Sequence, residues 1–161
     1  MTSAIFMSYD SAKLGPVNGE ATTPGSISKD PASGAWMELM SCSFSGQPYS
    51  ERRQATNVAI NTIRITKETD GASSGMLQDF LFSAPDGTAA IIFMRTDEGQ
   101  PQEYLRLELK QVGVVSYDMT SGTDRPIETI TLYVGDFTIV TWTFDNQTRG
   151  GQSVTNILNR A

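Results

Sequence analysis

The stretch EYLRLELKQVGVVSYDM, residues 103–119, decides the fold class of this chain. Three leucines alternate with charged residues, which is the period-two pattern of a strand with one buried face. These are Leu105, Leu107 and Leu109. The apolar positions change parity from Val112 onward. A bulge around Lys110 and Gln111 would restore one apolar face, so we predict a long strand that bends there.

Strand-like runs continue on both sides of this stretch. They are AIFMSY (4–9), AWMELMSCSFS (35–45), VAINTIRIT (58–66), TAAIIFMRT (88–96) and IETITLYVGDFTIVTWTF (127–144). In the last run six apolar residues share one parity, which predicts a single core face that includes Trp142. The six are Ile130, Leu132, Val134, Val140, Trp142 and Phe144. Because no strand–helix–strand alternation separates the runs, we predict an antiparallel sandwich or a closed barrel.

Two of these runs carry apolar residues on both parities. They are AWMELM (35–40) and TAAIIFM (88–94). A strand that is apolar on both faces is buried on both faces. We therefore expect part of the outer surface to be covered as well, which favours assembly of several copies through a head-to-tail interface.

One segment has the period of a helix, within RITKETDGASSGMLQDFLFSAPDG (64–87). Its apolar residues form a single stripe that predicts packing against the sheet. The stripe is Met76, Leu77, Phe80, Leu81 and Ala84. Ser73 or Ser74 is the expected N-cap, and Pro85 with Gly87 ends the element.

Composition excludes several function classes. Lys and Arg total 12 against 18 Asp and Glu, a formal charge of -6, so nucleic acid and anionic membrane surfaces are poor partners. The longest apolar runs fall far short of the roughly 20 residues that span a bilayer, so no membrane insertion is expected. The N-terminus lacks a signal-peptide pattern, which predicts synthesis in the cytoplasm and export by another route.

The chain has no histidine and a single cysteine, Cys42. This excludes histidine-based nucleophilic catalysis and a cysteine or histidine zinc site, so we expect no catalytic residue, no cofactor and no metal. Four carboxylates near turns are interpreted as solvated charges, because Asp and Glu are mostly exposed in proteins. They are Glu68, Asp70, Glu98 and Glu103.

A long polar connection, GQPYSERRQATN (46–57), follows the second strand-like run. Loops of this length without structure of their own are usually functional or disordered. Aromatic residues offer a different function, a sugar-stacking platform. The candidates are Trp36, Tyr49, Tyr133 and Trp142, of which Trp142 shares the parity of the core.

Five segments in the same order resemble the Hcp proteins, the tube proteins of type VI secretion systems. They are VNGE (17–20), WMELMSCSF (36–44), ITKETDGASSGML (65–77), RTDEGQPQEYLRLELKQVGVVSY (95–117) and PIETITLYVGDFTIVTWTF (126–144). The resemblance implies one domain over residues 1–161, a mainly β fold. In that fold an antiparallel β-barrel of two packed sheets carries one α-helix on its side. The C-terminal SVTNILNRA (153–161) matches the family's last strand weakly.

The resemblance also implies a function. Six copies would form a ring, rings would stack into a hollow tube, and a contractile sheath would fire the tube and its spike from the bacterium. Exported effectors would travel in the lumen. The protein would be cytoplasmic when assembled and then secreted to the extracellular space or a target cell. The loop after SCSFSG (41–46) would contribute to ring stacking, through Gln47, Tyr49, Glu51, Arg52 and Arg53.

Two alternatives stay open at this point. A phage tail-tube protein shares the fold and the ring assembly. A carbohydrate-binding β-sandwich belongs to a different class and would use the aromatic residues as its platform. An enzyme ranks below both, for want of a nucleophile–base pair.

Overall fold

Nine strands and one helix make up the part of the chain that the computed structural model describes, which is residues 2–21, 36–45, 62–96, 101–122, 124–145 and 148–158. The elements are β1 (Thr2–Ser11), β2 (Gly15–Val17), β3 (Met37–Leu39), β4 (Ser41–Phe44), β5 (Thr62–Glu68), α1 (Ser73–Phe82), β6 (Gly87–Thr96), β7 (Gln102–Thr120), β8 (Ile127–Asp145) and β9 (Thr148–Leu158).

All strand pairs are antiparallel, in the order β2-β1-β6-β7-β8-β5-β4, and in addition β3 pairs with β1 and β9 with β8. The prediction of a mainly antiparallel β fold with one helix packed on it is confirmed. Consecutive strands pair directly in most cases, as expected for a chain without crossover helices.

The nine strands form one sheet that is not closed, rather than the two packed sheets predicted. The reason is that β7 and β8 are 19 residues long and run through the whole fold. One edge of β8 pairs with β5 over Ile127–Tyr133 and with β9 over Asp136–Asp145, so both halves share it.

The chain between residues 37 and 44 brings the two sides of the sheet together. Its first half, β3, pairs with β1, and its second half, β4, pairs with β5. Met40 lies between them and donates a backbone hydrogen bond to the Thr66 carbonyl at 2.7 Å. The predicted single strand at 35–45 is therefore two short strands, because the segment changes its partner at Met40.

The predicted bulge in β7 is confirmed. Lys110 pairs with Thr88 and Val112 pairs with Gly87, so Gln111 is left out of the ladder, and its φ is 53°. This single left-handed residue lets the leucines before it and the valines after it share one face.

A matching irregularity in β8 overturns the prediction of a single core face there. Val134 pairs with Val112 and Asp136 pairs with Lys110, so Gly135 is skipped opposite Gln111. A side chain at Gly135 would collide with Gln111, which explains the glycine. After this point Phe137 belongs to the main core. Val140 is buried as predicted but lies outside both buried clusters, and Trp142 is half-buried outside them.

The main core lies where the sheet meets α1. It combines apolar residues from β1, β5, β6, β7 and β8 with Ala72 and Met76 at the start of the helix. Its largest fully buried members include Met7, Ile63, Ile91 and Leu107.

Candidate functional site

The helix attaches to the sheet through part of the predicted stripe. Met76 is fully buried and Phe80 is half-buried against the main core, which confirms the prediction for both. Leu77 is 39% exposed and Leu81 57% exposed, so the prediction that they pack on the domain is wrong within a single chain. The helix therefore does not direct the most apolar side of its surface toward the sheet.

A buried carboxylate explains this orientation. Asp79 is 1% exposed, and it accepts hydrogen bonds from the Tyr9 hydroxyl at 2.5 Å and the Ser11 hydroxyl at 2.5 Å. The inward face thus consists of Met76, Asp79 and Phe80. The sequence pattern did not identify this face of the helix, because it places acidic residues in solvent. A buried carboxylate is tolerated only when it is paired with a cation or hydrogen-bonded, and here it is hydrogen-bonded.

The same contact affects the Tyr9 phenol. Burial raises the pKa of Tyr9 far above its ordinary value, and the hydrogen bond to Asp79 and the charge of Asp79 raise it further. The phenol therefore stays neutral and donates its proton to the carboxylate. Ser11 also accepts the backbone N–H groups of Lys13 and Leu14, so one residue links the helix to the β1–β2 turn.

The N-terminus of α1 is built differently from the prediction of a serine cap. The N-cap is Ala72, which provides no side-chain hydrogen bond. Instead the Asp70 carboxylate accepts the N–H of Ala72 at 2.9 Å, and the Ser73 hydroxyl accepts the N–H of Asp70 at 2.9 Å. The turn before the helix therefore satisfies its own backbone groups.

A buried ion cluster holds this turn. Lys67 is fully buried, and its ammonium lies 2.7 Å from Asp70 Oδ1 and 2.6 Å from Glu128 Oε2. Lys67 and Glu128 face each other across the β5–β8 pair. The Tyr117 hydroxyl donates to Glu128 Oε1, and burial together with this carboxylate raises the pKa of Tyr117.

The interpretation of the turn carboxylates as solvated charges is therefore wrong for two of them. Asp70 is paired with Lys67, and Glu103 is buried with Arg106 Nε at 2.6 Å from its carboxylate. Glu68 is exposed as predicted, and Glu98 lies outside the described residues. Removal of the cation partner from a buried carboxylate of this kind is strongly destabilising, because an uncompensated charge stays buried.

A second apolar cluster covers the opposite face of β1 and β6. Trp36 packs there with Phe6, Ala90, Ile92 and Met94 and is 3% exposed. The apolar residues on both parities of 36–40 and 88–94 are thus largely buried within one chain, so they no longer support the expected interface. Trp36 is also too buried to contribute to a sugar platform.

Several large apolar side chains remain exposed. They are Leu14, Met40, Phe44, Leu77, Leu81, Phe82, Val115, Met119 and Val154. Leu77, Leu81 and Phe82 share the outer side of α1, and Lys13 Nζ lies 5.8 Å from the Phe82 ring centre. Scattered exposure is ordinary, whereas a group on one helix indicates a surface available for contact.

A groove of about 460 Å³ lies between the β3–β4 junction and the turn after β5. Its charged lining is mostly acidic: Glu20, Glu38, Glu68 and Asp70 against Arg125. Arg125 Nη1 lies 3.9 Å from Glu20 Oε2 and donates to the Thr69 carbonyl at 3.3 Å.

The predicted ring-stacking residues lie outside the described residues. They are Gln47, Tyr49, Glu51, Arg52 and Arg53. The strands on either side are described: Phe44 and Ile63 pair directly across β4 and β5. The described strand ends that flank the segment are therefore adjacent, at the end of the β4–β5 pair opposite the groove.

In the described ranges, no group of three or more Cys, Asp or Glu residues is arranged to hold a metal ion. Burial raises the pKa of the Cys42 thiol to about 11, so this cysteine is a poor nucleophile at neutral pH. No helix of the described part is long and apolar enough to cross a membrane.

Comparison with known proteins identifies similar sequences and folds. The family described as "Type VI secretion system effector, Hcp" matches residues 6–144. Among curated proteins, none matches this chain.

Solved structures match nearly the whole chain. Hcp1 from Salmonella typhimurium has a TM-score of 0.72 at 16% identity, with 99% of this chain and 96% of that chain covered. The secreted protein Hcp3 from Pseudomonas aeruginosa has a TM-score of 0.70 at 16% identity, covering 99% and 100%. A type VI secretion system effector from Yersinia pestis has a TM-score of 0.65 at 16% identity, covering 94% and 98%. At these identities the likeness establishes the fold.

Proposed function

The chain belongs to the Hcp family of type VI secretion proteins, and from this premise we propose that it is the subunit of a secretion tube. Six copies form a ring, and rings stack head to tail into a hollow tube. The observation that carries the proposal is the family match over residues 6–144. The similarity to Hcp structures over nearly the full length supports it, and it also supports the proposal that residues 1–161 form one domain.

Ring stacking is the proposed task of segment 46–57, through Gln47, Tyr49, Glu51, Arg52 and Arg53. A hairpin between adjacent strands needs only about two to five residues, so the fold does not require a connection this long. In a head-to-tail stack, the end of β4 and β5 that carries this segment faces the acidic groove of the next ring. Single exposed ion pairs contribute about 0–1 kcal/mol each, so the contact would depend on its repetition around the ring.

The proposed partners follow from the tube. They are further copies of the chain, the sheath and spike of the secretion apparatus, and exported effectors inside the lumen. The tube assembles in the bacterial cytoplasm and is then secreted to the extracellular space or a target cell. The role is structural rather than enzymatic, and the net charge of -6 fits neither nucleic acid nor membrane partners.

Native mass spectrometry of the purified protein tests the ring directly. We expect a dominant species with six times the mass of one chain. The loop is tested by replacing Glu51, Arg52 and Arg53 together with alanine, with Lys13→Ala as an exposed charge control. The triple variant should keep the six-chain species and lose tube growth and secretion. A triple variant that falls to monomers, or that stacks and is secreted like the parent, contradicts the role given to the loop.

A further inference from the structure

The orientation of α1 on the sheet conflicts with the pattern of its own sequence. The helix buries Met76 and Asp79, whereas Leu77 is 39% exposed. Successive residues of an α-helix are about 100° apart around its axis. A rotation by one residue position would therefore place Phe80 where Asp79 now lies. It would also place Leu77 where Met76 now lies, so that the inward side would lose the only charged residue of the helix.

Hydrogen bonds from β1 oppose this rotation. The Asp79 carboxylate is buried and accepts hydrogen bonds from the Tyr9 and Ser11 hydroxyls. Among the described residues no cation forms an ion pair with it. Since the transfer of a carboxylate out of water is costly, only these hydrogen bonds compensate its burial. The orientation of α1 therefore depends on two hydroxyl groups of β1.

The turn between β1 and β2 connects the two obstacles to the rotation. On one side of the turn, the Ser11 hydroxyl accepts the N–H groups of Lys13 and Leu14, so its position depends on the turn. On the other side, β2 packs closely on the helix, because a Cβ at Gly75 would lie 2.8 Å from Val17 Cγ1. The rotation would bring a larger side chain to this place. A displacement of the turn would thus weaken both obstacles together.

We propose that α1 is a two-state switch that the β1–β2 turn controls. In the orientation described above, Asp79 is buried and the side of the helix with Leu77 and Leu81 faces outward. In the second orientation, α1 is rotated by one residue position, Asp79 lies in solvent, and Leu77 and Leu81 pack on the sheet. A sequence pattern that disagrees with the structure is expected at such a functional element.

The turn is accessible to a partner. Lys13 and Leu14 are exposed, and Lys13 Nζ lies 5.8 Å from the ring centre of Phe82 at the end of α1. A ligand shifts an equilibrium between two states only through its different affinities for them. A partner that binds the displaced turn more tightly than the present one would therefore withdraw the apolar side of α1 from the surface. The switch belongs to the single chain, so it goes beyond the proposed tube and does not depend on it.

The variant Gly75→Ala tests the switch. Its methyl group would collide with Val17 in the present orientation, whereas the rotation would move it to the exposed place of Ser74. The reporter is Leu77→Cys, combined with Cys42→Ala so that the reporter thiol is the only one in the chain. In the second orientation this thiol takes the fully buried place of Met76.

The rate of reaction with a water-soluble maleimide is measured at one fixed protein concentration, because assembly would change the exposure of the thiol. We expect Gly75→Ala to slow the reaction of the reporter by a factor on the order of ten or more, because a buried thiol reacts only after local opening. Gln78→Cys is the control reporter, since position 78 is exposed in both orientations, and its rate should stay the same. Ser74→Ala, at an exposed position, should change neither rate.

A second variant reaches the same end without a change in the helix. Tyr9→Phe combined with Ser11→Ala removes both hydrogen bonds of Asp79 and leaves Gly75 and Val17 in place. We expect the reaction of the reporter at position 77 to slow here as well. Unchanged rates at both reporters, in either variant, would overturn the inference. Faster reaction at both reporters would also overturn it, because the helix would then leave the sheet instead of rotating on it.

Discussion

The attachment of α1 through Asp79 predicts a large effect from a small change, Asp79→Asn. The carboxylate accepts two hydrogen bonds at 2.5 Å, from Tyr9 and from Ser11, and it is 1% exposed. An asparagine amide has one oxygen, so it can accept a hydrogen bond from only one of the two hydroxyl groups. That remaining hydrogen bond no longer involves a charged acceptor. Hydrogen bonds to charged groups contribute about 1.5–3 kcal/mol each. We expect the free energy of unfolding to fall by about 2–3 kcal/mol.

The assay is urea unfolding followed by circular dichroism at pH 7, at one fixed protein concentration because assembly would add to the apparent stability. Leu81→Ala is the matched control on the same helix, since Leu81 is 57% exposed. Asp86→Asn, at an exposed position, controls for the loss of a charge. Both controls should stay within about 0.5 kcal/mol of the parent. An Asp79→Asn variant as stable as these controls would refute the role given to Asp79.

Three further predictions concern the core and the ion cluster. Lys67→Met should cost about 3–5 kcal/mol in urea unfolding, because it leaves buried carboxylates without their cation. Since the pKa values of Tyr9 and Tyr117 are raised in the folded state, stability should be complete below pH about 10. Above that it should fall by up to about 1.4 kcal/mol per pH unit for each tyrosine, as measured by unfolding at pH 8–11. Met76→Ala should cost about 2–5 kcal/mol, whereas the exposed Leu77→Ala should cost less than about 1 kcal/mol.

The sequence was sufficient to predict one bulge and strand-like runs that overlap β1, β5, β6, β7 and β8, whereas the short strand β2 and the strand β9 were not predicted from the pattern. In β7 the leucines and the valines differ in parity, and only an extra residue between them can put both on one face of the sheet. The pattern alone therefore located the bulge around Lys110 and Gln111. The apolar stripe also predicted the single helix on the sheet, in agreement with the family resemblance, and the structure confirms it.

Other features depend on contacts that no local pattern contains. Gly135 reverses the parity of β8 because its neighbour across the pair is Gln111, and a glycine gives no sign of this by itself. The face of α1 depends on Tyr9 and Ser11, which lie about seventy positions away in the chain. The pairing of Lys67 with Glu128 and the cover that Trp36 gives to β1 and β6 likewise come from distant segments.

Negative-stain electron microscopy of the purified protein tests the central proposal most directly. We expect ring-shaped particles with six subunits around a central hole, together with short stacks of rings at high protein concentration. Only small particles without a hole, at every concentration up to the millimolar range, would contradict the proposal that this chain is the subunit of a secretion tube.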